Sequence, residues 1–418
     1  MRVAVLGAGY AGLTLAGRLE DLLPPEADLV VVDESGYHLV QHELHRLVRR
    51  PDLADAVTVP LSEALDRATV RTARVERIDR AERTIHLDGA GAAGTAADGD
   101  PDDGVEGADG GGGDREGGEG ADGEGDAGDG AGTGDRIDYD YAAVCLGAET
   151  AFYGLPGVAE HAVPLKRIDH AERIREAALG GGRLVVGGAG LSGIQVAGEL
   201  AALADEEGVE AEVCLLEREP HVAPTFPEAF RRAVRQELGE RGVTVRTDAP
   251  VTGATADAVA LEDDEVPYDA FVWTGGIRGP SATGGDRPTV RGDLRLDGRT
   301  FALGDAARVV DGDGEPVPAS AAAAVRQARV AAANIVRLVE HDLAGDGDGD
   351  FAPRLDPYRF DVPGWIVSVG DGAVAQVGPA VVRGRVARAM KATVGAGHLS
   401  SVGDVRRAVE LVESELHG

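Results

Sequence analysis

The chain has 418 residues, of which 43% are hydrophobic, so it is long enough to fold into two or three domains with buried cores. It carries 73 acidic and 41 basic residues, a formal net charge of −32, and its only lysines are Lys166 and Lys391. This charge argues against nucleic acid as a partner. It is typical of proteins from a high-salt cytoplasm, where salt screens the repulsion between carboxylates.

The first predicted unit is a strand, a glycine-rich turn and a helix at residues 2–23. In the turn, Gly7-Ala8-Gly9-Tyr10-Ala11-Gly12, Gly7 allows a tight bend, Gly9 lets a diphosphate approach the backbone, and Gly12 lets the helix pack closely on the strand. The following strand ends at Asp33, where a carboxylate can accept hydrogen bonds from a ribose. Because a helix N-terminus attracts anions, we expect a bound dinucleotide here.

A low-complexity insert at residues 89–135 interrupts this unit and consists almost wholly of Gly, Asp, Glu and Ala. So few apolar side chains cannot offset the entropy lost on ordering, and we expect the insert to be disordered. Strand-like segments at 69–74, 84–87 and 136–139 flank it, and an apolar run follows at 142–146. We interpret the insert as an enlarged hairpin loop.

The same pattern returns at residues 184–217. A strand leads into Gly188-Ala189-Gly190-Leu191-Ser192-Gly193, a helix runs to about residue 204, and the next strand ends at Glu217. The sequence therefore predicts a second dinucleotide. Glu217 is expected to bind the 2′-hydroxyl of NADH and to repel the 2′-phosphate of NADPH, although the neighbouring Arg218 weakens that preference.

The last part of the chain begins with an alanine-rich helix predicted at 320–340 and a polar loop at 345–350. Strands at 365–369 and 373–377 are predicted to form a hairpin, with two helical stretches after it. The fold class is therefore α/β, with two Rossmann-like domains, one inserted in the other, and a C-terminal α+β interface region. We expect the outer domain at 1–163 and 281–340, the inserted domain at 164–280, and the interface region at 352–418.

Three further segments carry a resemblance: Val144-Cys145-Leu146-Gly147-Ala148, Val272-Trp273-Thr274-Gly275-Gly276 and Phe301-Ala302-Leu303-Gly304-Asp305. With the two glycine turns, they resemble the FAD/NAD-binding disulfide-reductase-like superfamily. The resemblance implies that the first unit holds FAD and the second NAD(P)H. It places Gly304 and Asp305 at the ribityl-phosphate part of FAD, and it puts Gly147 and Gly275 where the chain crosses between domains. Gln41 and Val75 are also expected among the FAD contacts.

Within that superfamily, Tyr37-His38-Leu39-Val40-Gln41, the segment 146–157 and Pro164-Leu165-Lys166 resemble type II NADH dehydrogenases, which are single-subunit NADH:quinone oxidoreductases that do not pump protons. The resemblance implies electron transfer from NADH through FAD to a membrane quinone, with the C-terminal part at the inner face of the cell membrane. It also implies that the helix beginning near Ser320 points its N-terminus at the flavin, where negative charge gathers on reduction.

Two departures from the family pattern concern the electron acceptor. The family usually has Ala-Gln and a second Gln four residues later, whereas this chain has Ala321-Ala322 and then Arg326, followed by Gln327. A glutamate of the family's second Rossmann helix is replaced by Gln195. The resemblance assigns Gln195, Ala322, Arg326 and Gln327 to the acceptor side, with Ala322 also beside the cofactor. Which quinone is reduced, or which other acceptor, stays open.

The cysteines and histidines argue against other chemistry. Cys145 and Cys214 are far apart and in no C-x-x-C or metal-ligand spacing, so we expect buried thiols and no reactive cysteine pair. His38, His42 and His45 would share a helical face, which could suggest a metal site. They lack the spacing of the zinc protease motif, and we predict no metal but a solvated or flavin-facing polar surface.

The C-terminal helices leave two interpretations open. The segment 380–394 has a basic cluster, and the following segment has an apolar stripe at helical spacing. Such a segment could dock on anionic lipid at the cytoplasmic membrane surface, or it could be an ordinary domain-packing or homodimer helix. The basic residues are Arg383, Arg385, Arg388 and Lys391, and the apolar ones are Val405, Val409, Val412 and Leu416.

Three alternative functions fit the same motifs: a soluble NADH-dependent flavin reductase that serves a ferredoxin or another acceptor, a cysteine-independent quinone reductase with another donor, and a non-catalytic FAD-binding module. The chain starts without a signal-peptide pattern, and no stretch has the roughly 18 apolar residues of a membrane-spanning helix. We therefore expect a cytoplasmic location.

Overall fold

The structure is a computed structural model that describes residues 1–88, 135–345, 352–362, 364–384 and 386–393, together with residues 407, 409 and 412. Apart from Asp135, the insert predicted at 89–135 lies outside these residues, and so does the loop predicted at 345–350 beyond Gly345. The predicted apolar stripe also lies outside them, except for Val409 and Val412.

The first part of the chain alternates short strands with few helices. Its elements are β1 (Arg2–Leu6), α1 (Tyr10–Leu22), β2 (Asp28–Asp33), β3 (Tyr37–Leu39), the 3₁₀ helices Gln41–Val48 and Pro51–Ala54, β4 (Thr58–Pro60), α2 (Leu61–Ala64), β5 (Thr69–Thr72), β6 (Val75–Asp79), β7 (Thr84–Leu87), β8 (Arg136–Asp138) and β9 (Tyr141–Val144).

The middle part contains the second glycine turn and longer helices. Its elements are β10 (Glu149–Thr150), α3 (Val158–His161), β11 (Val163–Pro164), α4 (Ile168–Leu179), β12 (Gly182–Gly187), α5 (Leu191–Glu207), β13 (Ala211–Leu216), α6 (Glu228–Glu240), β14 (Thr244–Arg246), β15 (Val251–Ala254), β16 (Ala258–Leu261), β17 (Glu265–Pro267), β18 (Ala270–Trp273) and β19 (Ile277–Arg278).

The last part ends in a small sheet and a helix. Its elements are the 3₁₀ helix Ser281–Thr283, β20 (Thr289–Val290), β21 (Thr300–Ala302), the 3₁₀ helix Gly304–Ala306, β22 (Arg308–Val309), α7 (Ala321–Leu343), β23 (Gly364–Val369), β24 (Gly372–Val377), β25 (Ala380–Arg383) and α8 (386–393).

The first parallel sheet has the strand order β21-β9-β1-β2-β5. Both of its faces are covered, which is why β1 and β2 are almost continuously apolar. Val3, Val5 and Val31 face α1 and α7, whereas Ala4 and Val32 face the antiparallel sheet β6-β7-β8. The packing surface of α7 is mostly alanine, so the backbones of α1 and α7 lie close together.

The second parallel sheet, β11-β18-β12-β13-β14, repeats this arrangement. Leu184 and Leu215 pack against the helices α4, α5 and α6, while Val185 and Leu216 pack against the antiparallel sheet β15-β16-β17. The two glycine turns therefore lie in two units of the same architecture, as the repeated sequence pattern predicts.

The chain crosses between the two parallel sheets twice. The crossing segments pair antiparallel through β10 and β19, with Glu149 opposite Arg278. Gly147 precedes the first crossing and Gly275 the second. Because β21 joins the first sheet only after the second sheet is complete, the second unit is inserted in the first. This confirms the predicted fold class, while the boundaries at 163 and 281 stay predictions.

The C-terminal hairpin β23–β24 is present as predicted and packs on α5 and α6. At Gly198 of α5, an added Cβ would overlap the backbone of Gly370, so the turn of the hairpin lies directly on that helix. The prediction that 380–394 is helical throughout was wrong, because β25 adds a third strand to the hairpin. Gly378 and Gly384, both with positive φ, bound this strand, and α8 begins only after it.

Candidate functional site

The first glycine turn joins the carboxyl end of β1 to α1. Gly7 has a φ of +89°, and a Cβ there would lie 2.5 Å from the carbonyl oxygen of Cys145. A Cβ at Gly12 would overlap the carbonyl oxygen of Gly7. At Gly9, a Cβ would meet no atom of the described residues within 4 Å. The protein's own packing therefore requires Gly7 and Gly12, whereas Gly9 leaves space for a ligand at the N-terminus of α1.

Asp33 lies beside this turn at the end of β2. Its Oδ2 accepts a hydrogen bond from the Ala8 backbone N–H at 2.7 Å, and its Oδ1 accepts from the N–H and the hydroxyl of Ser35 at 2.9 and 2.6 Å. The carboxylate thus holds the turn in place. It stays partly exposed and keeps acceptor capacity for a ribose hydroxyl.

The second glycine turn has the same geometry. Gly188 has a φ of +96° and packs on Gly275, where a Cβ would lie 2.8 Å from the Cα of Gly275. A Cβ at Gly193 would overlap the carbonyl oxygen of Gly188, whereas one at Gly190 would meet no described atom within 4 Å. The structure therefore offers a second open helix N-terminus, that of α5.

Glu217 takes the place of Asp33 in this second turn. Its Oε2 accepts from the Ala189 backbone N–H at 2.8 Å and its Oε1 from the Glu219 N–H at 3.0 Å. The next residue, Arg218, is 75% exposed and pairs with Glu219 at 3.1 Å. Arg218, which weakened the predicted preference for NADH, is therefore paired with a carboxylate.

The N-terminus of α7 meets the first turn at Gly304. Gly304 has a φ of +67°, and a Cβ there would lie 3.1 Å from Cβ of Ala11 and 3.5 Å from Cβ of Ala324. Ser320 caps α7 with its hydroxyl oxygen, which accepts from the Ala323 N–H at 3.3 Å. The N-termini of α1 and α7 therefore lie on either side of the Gly304 loop.

Asp305 follows Gly304 and faces basic groups. Its carbonyl oxygen accepts from Nε of Arg287 at 2.7 Å. Burial lowers the pKa of Lys166, an effect that the nearby carboxylate of Asp305 opposes. Lys166, from the segment that supported the family resemblance, thus reaches from the second unit toward the Gly304–Asp305 loop.

The residues assigned to the acceptor side separate into two groups. On α7, Gln327 is buried and its Oε1 accepts from the Gly304 N–H at 2.7 Å, while Arg326 donates to the carbonyl oxygen of Ala322 at 3.1 Å. Gln195, on α5, instead donates to the Ser368 hydroxyl at 3.3 Å. Gln327 therefore supports the Gly304–Asp305 loop, and Gln195 belongs to the contact with the C-terminal hairpin.

The two remaining predicted FAD contacts differ in accessibility. Gln41 is exposed at the start of the 3₁₀ helix Gln41–Val48. Val75 begins β6, pairs with Leu87 and buries its side chain in the core. Gln41 can offer its side chain to a ligand, whereas the side chain of Val75 is buried away from one.

The predictions for the histidines were partly wrong. His38 lies on β3 and not on a helix with His42 and His45, because the chain turns into the 3₁₀ helix only at Gln41. His38 and His45 are buried, so they do not form a solvated surface. His38 Nδ1 bonds the carbonyl oxygen of Ala8 in the glycine turn at 2.9 Å.

A buried ion pair beside these histidines was missed. Glu43 and Lys391 are 2% and 4% exposed, and their charged atoms lie 3.1 Å apart. Burial raises the pKa of Glu43, but Lys391 and His42 outweigh it and hold that pKa well below its usual range. The only signal in the sequence is the rarity of lysine, and it does not indicate a partner.

Two residues of the predicted basic cluster pair with carboxylates of the protein itself. Arg383 pairs with Glu237 at 2.6 Å and with Glu240 at 2.7 Å, both on α6. Lys391 is the buried partner of Glu43, and Arg388 donates to the carbonyl oxygen of Asp371 at 3.5 Å. Arg385 lies outside the described residues. The two cluster residues that pair with carboxylates, Arg383 and Lys391, therefore meet different parts of the protein, α6 and the 3₁₀ helix Gln41–Val48.

Both cysteines are free and buried, as predicted, and burial raises the pKa of each thiol. Cys145 directly follows β9 and Cys214 lies in β13, so they belong to different sheets. Among the described residues, no group of three or more His, Cys, Asp or Glu side chains could hold a metal ion. None of the helices in the same part of the chain is long and apolar enough to span a membrane.

The most similar curated proteins include two with quinone-related names. Demethylphylloquinone reductase of Synechocystis is 28% identical over 262 residues, which cover 57% of this chain and 61% of that protein. The type II NADH:quinone oxidoreductase of Staphylococcus haemolyticus is 23% identical over 381 residues, 82% of this chain and 84% of that protein. The chain thus spans less than two thirds of the first relative and most of the second.

Solved structures share the fold at low identity. The structure of NDH2 from Plasmodium falciparum in complex with NADH has a TM-score of 0.76 at 12% identity and covers 100% of this chain and 97% of that chain. A ferredoxin reductase from Rhodopseudomonas palustris has a TM-score of 0.67 at 19% identity and covers 90% of this chain and 82% of that chain. At these identities the likeness establishes the fold alone.

The family follows from a match over most of the chain. The model of the pyridine nucleotide-disulphide oxidoreductase family matches residues 1–328, which include both glycine turns, both parallel sheets and the start of α7. The resemblance stated from the sequence is thus confirmed at the level of the family. The chain belongs to the pyridine nucleotide-disulphide oxidoreductase family.

Proposed function

We propose that this protein oxidises NADH with a bound FAD and passes the electrons to a quinone. The observation that carries the proposal is the repeated site: two helix N-termini, each with an open central glycine and a carboxylate fixed on the turn. Two dinucleotide sites in one chain suit a hydride relay, in which one carrier exchanges and the other stays bound. The names of the Synechocystis and Staphylococcus relatives support a quinone as acceptor.

FAD is assigned to the first turn and NADH to the second. The first turn is flanked by a second helix N-terminus, that of α7, at Gly304 and Asp305. The proposed FAD contacts are Gly7, Gly9, Gly12, Asp33, Gln41, Val75, Gly147, Gly304, Asp305 and Ala322. The proposed NADH contacts are Gly188, Gly190, Gly193, Glu217 and Gly275. Bound FAD supplies the two-electron chemistry, and the protein's part is to align the two rings.

The preference for NADH over NADPH follows from Glu217. A fixed carboxylate at the end of β13 accepts from a ribose 2′-hydroxyl but repels a 2′-phosphate. Because Arg218 pairs with Glu219, it offers less attraction to that phosphate than its position in the sequence suggests.

An anaerobic titration tests the whole proposal. The purified protein is expected to be yellow, to lose the visible absorption of oxidised flavin when NADH is added, and to regain it when a quinone follows. A colourless protein that takes up no added FAD rules out the proposal. Bleaching by NADPH but not by NADH refutes the assignment of Glu217.

A second candidate is a soluble reductase that serves a ferredoxin or another water-soluble acceptor. Two observations favour it. Arg383 and Lys391, half of the basic cluster for which docking on anionic lipid was one of two interpretations, pair with carboxylates of the protein itself. A ferredoxin reductase is also among the solved structures of similar fold. Reoxidation of the NADH-reduced protein by ferredoxin, with no response to quinone, supports this candidate over the first.

The protein also has a proposed cellular location. We propose a peripheral position at the inner face of the cell membrane and a high-salt cytoplasm, the latter on the net charge of −32. Flotation with anionic vesicles tests the first, and recovery only in the soluble fraction contradicts it. A melting temperature that rises with KCl concentration supports the second.

A further inference from the structure

Tyr153 combines a strained backbone with an exposed aromatic side chain, in the first segment that crosses between the two units. Its φ is +54°, a region that bulky residues rarely adopt. The residue is 64% exposed, so burial of its ring in the protein does not offset the cost of this backbone. Strained residues of this kind cluster at ligand sites, where the strain is retained for function.

The strain arises in a tight turn at residues 152–155. The Leu155 N–H donates to the Phe152 carbonyl oxygen at 3.0 Å, and Gly154 also has a positive φ, +68°. Positive φ at both central residues is the pattern of a type I′ turn, whose first central position favours Asn, Asp or Gly. Because Tyr153 occupies that position, the turn by itself does not explain the tyrosine.

The base of this turn is fixed on the loop that follows β18. The Ala151 N–H donates to the Gly276 carbonyl oxygen at 3.0 Å, and the Trp273 indole N–H donates to the Ala151 carbonyl oxygen at 2.8 Å. The Tyr153 hydroxyl donates to the Gly275 carbonyl oxygen at 3.4 Å, and a Cβ at Gly276 would overlap this hydroxyl. Tyr153 therefore lies directly on the Gly275–Gly276 loop.

The Gly275–Gly276 loop packs in turn on the second glycine turn. A Cβ at Gly188 would lie 2.8 Å from the Cα of Gly275. The Thr274 hydroxyl donates to the Gly188 carbonyl oxygen at 2.9 Å. Tyr153 thus touches a loop that itself touches the turn proposed to bind the diphosphate of NADH.

The strand order of the second sheet, β11-β18-β12-β13-β14, decides which half of NADH reaches this loop. A dinucleotide binds across the carboxyl ends of the strands where the strand order reverses, and that point is β12. Glu217, which directly follows β13, is the proposed partner of the adenosine ribose on one side of β12. The nicotinamide half then extends to the other side, toward the end of β18, where Gly275 and Tyr153 lie.

The same loop leads back to the first unit. β19 follows Gly276 and pairs with β10, which belongs to the segment that enters the second unit. The nicotinamide half is therefore directed toward the unit of the proposed FAD site. Hydride transfer requires this direction, because the two rings must meet.

We propose that Tyr153 is a binding residue for the nicotinamide ring of NADH. Its ring contacts the nicotinamide at the carboxyl end of β18, and its long hydrogen bond to Gly275, 3.4 Å, is weak enough for the ring to adjust to the ligand. Contact with the ligand buries an aromatic surface that is otherwise exposed, which offsets the cost of the positive φ. This inference rests on the proposed function.

Tyr153→Asn separates a role in binding from a structural role. Asn tolerates a positive φ, so the variant should have the melting temperature of the wild type or a higher one. Stopped-flow reduction of the FAD-loaded protein at a series of NADH concentrations gives the apparent Kd for NADH. This Kd should rise about tenfold, the order expected for loss of one aromatic contact with a ligand ring.

Tyr153→Phe tests whether the ring or the hydroxyl matters. This variant loses the hydrogen bond to Gly275 but keeps the aromatic ring, so its Kd for NADH should stay close to that of the wild type. A wild-type Kd in Tyr153→Asn, or a lower melting temperature in that variant, overturns the inference. An equal rise of Kd in both variants also overturns it, because the hydroxyl and not the ring would then be responsible.

Arg83→Asn is the matched control for backbone strain. Arg83 has the same φ of +54° and is exposed in the turn before β7, in the first unit. This variant should also keep or raise the melting temperature, and it should leave the Kd for NADH unchanged. An equal rise of Kd in Arg83→Asn and Tyr153→Asn would show that the effect is not local and would contradict the inference.

ADP-ribose tests which part of the dinucleotide Tyr153 contacts. It has the adenosine, the diphosphate and the second ribose of NADH but no nicotinamide ring, so its inhibition constant against NADH should be equal in the wild type and in Tyr153→Asn. An equal loss of affinity for ADP-ribose and NADH contradicts the assignment to the nicotinamide. If the wild-type protein binds neither FAD nor NADH, the proposed function fails and the inference fails with it. If it binds both and Tyr153→Asn binds NADH as tightly, only the inference fails.

Discussion

The Oε1 of Gln327 accepts a hydrogen bond from the Gly304 backbone N–H at 2.7 Å, and this contact joins α7 to the loop that enters Asp305. Gln327 is 2% exposed, so its loss leaves a poorly solvated N–H in the loop. The loop lies between the N-termini of α1 and α7, where the proposed FAD binds. The amide of Gln327 therefore holds the loop that borders the proposed FAD site.

Gln327→Leu should weaken FAD binding. The unsatisfied Gly304 N–H costs about 1–3 kcal/mol, and the loop that carries Asp305 loses its anchor. The ratio of flavin to protein absorbance after gel filtration, and the melting temperature, report the two effects. Asn334→Leu is the matched control, since Asn334 is a buried amide on α7 that bonds Asp356 instead. The control should lower the melting temperature and keep FAD; equal FAD loss in both variants contradicts the role of Gln327.

The central glycines should separate ligand binding from folding. Gly9→Ala and Gly190→Ala add a methyl group where no described atom lies within 4 Å, so both variants should fold with wild-type circular dichroism. Gly9→Ala should lose FAD, and Gly190→Ala should keep FAD but bind NADH weakly, because each methyl group occupies the path of a diphosphate. Gly12→Ala, in which the Cβ would overlap the Gly7 carbonyl oxygen, should fail to fold. Retention of both cofactors by the first two variants refutes the site assignment.

The carboxylates of Glu217 and Asp33 should affect the binding of different cofactors. Glu217→Gln removes a charge from the second turn, and we expect KM for NADH to rise about tenfold, roughly 1.4 kcal/mol, while discrimination against NADPH falls. Asp33→Asn makes the matched change in the first turn and should lower FAD retention with little effect on KM for NADH once FAD is saturating. Steady-state kinetics with both nicotinamides and an FAD titration measure these effects. An exchange of the two phenotypes would show that the turns are assigned the wrong way round.

The Glu43–Lys391 pair should make stability depend on acid pH. The folded-state pKa of Glu43 is well below its usual value of 4.5, so its contribution is complete above that pH and is lost as the pH falls. Lys391→Met removes one of the two cations that pair with this buried carboxylate, the other being Arg46 at 3.3 Å, and should cost up to about 3–5 kcal/mol. The double variant Glu43→Leu, Lys391→Met should recover most of this loss and unfold less steeply with acid. Urea unfolding at several pH values from about 3 to about 7, a range that spans the ordinary pKa of Glu, measures the free energy of unfolding of each variant. A double variant that is as unstable as the single variant contradicts the prediction.

The acidic insert should be dispensable for folding. Its ends are fixed on neighbouring strands, since the Leu87 N–H donates to the Asp135 carbonyl oxygen at 2.9 Å. A short Gly-Ser turn can join these ends, so replacement of residues 89–134 should leave the melting temperature and NADH oxidation unchanged. Loss of FAD or of activity in the shortened protein contradicts the interpretation of the insert as a passive loop.

The sequence by itself determined the two dinucleotide turns, because their constraints are local. Gly7, Gly12 and Asp33 act within one strand-turn-helix-strand unit, and spacing along the chain places them correctly. Burial of both sheet faces also appears in the sequence, as the apolar runs of β1, β2, β12 and β13. The fold class followed from these local patterns.

Only the tertiary structure decided the roles of the charged residues. For Arg383 the sequence left a lipid contact and a packing contact open, and in the structure it pairs with Glu237, which is 146 residues away in the sequence. Glu43 and Lys391 are 348 residues apart, and neither neighbourhood indicates a buried partner. Charge pairing depends on distances of a few ångströms between remote segments and leaves no periodic pattern in the sequence. Hydrophobic periodicity encodes which side of an element is buried, whereas the partner of a buried charge is decided by the packing of the whole chain.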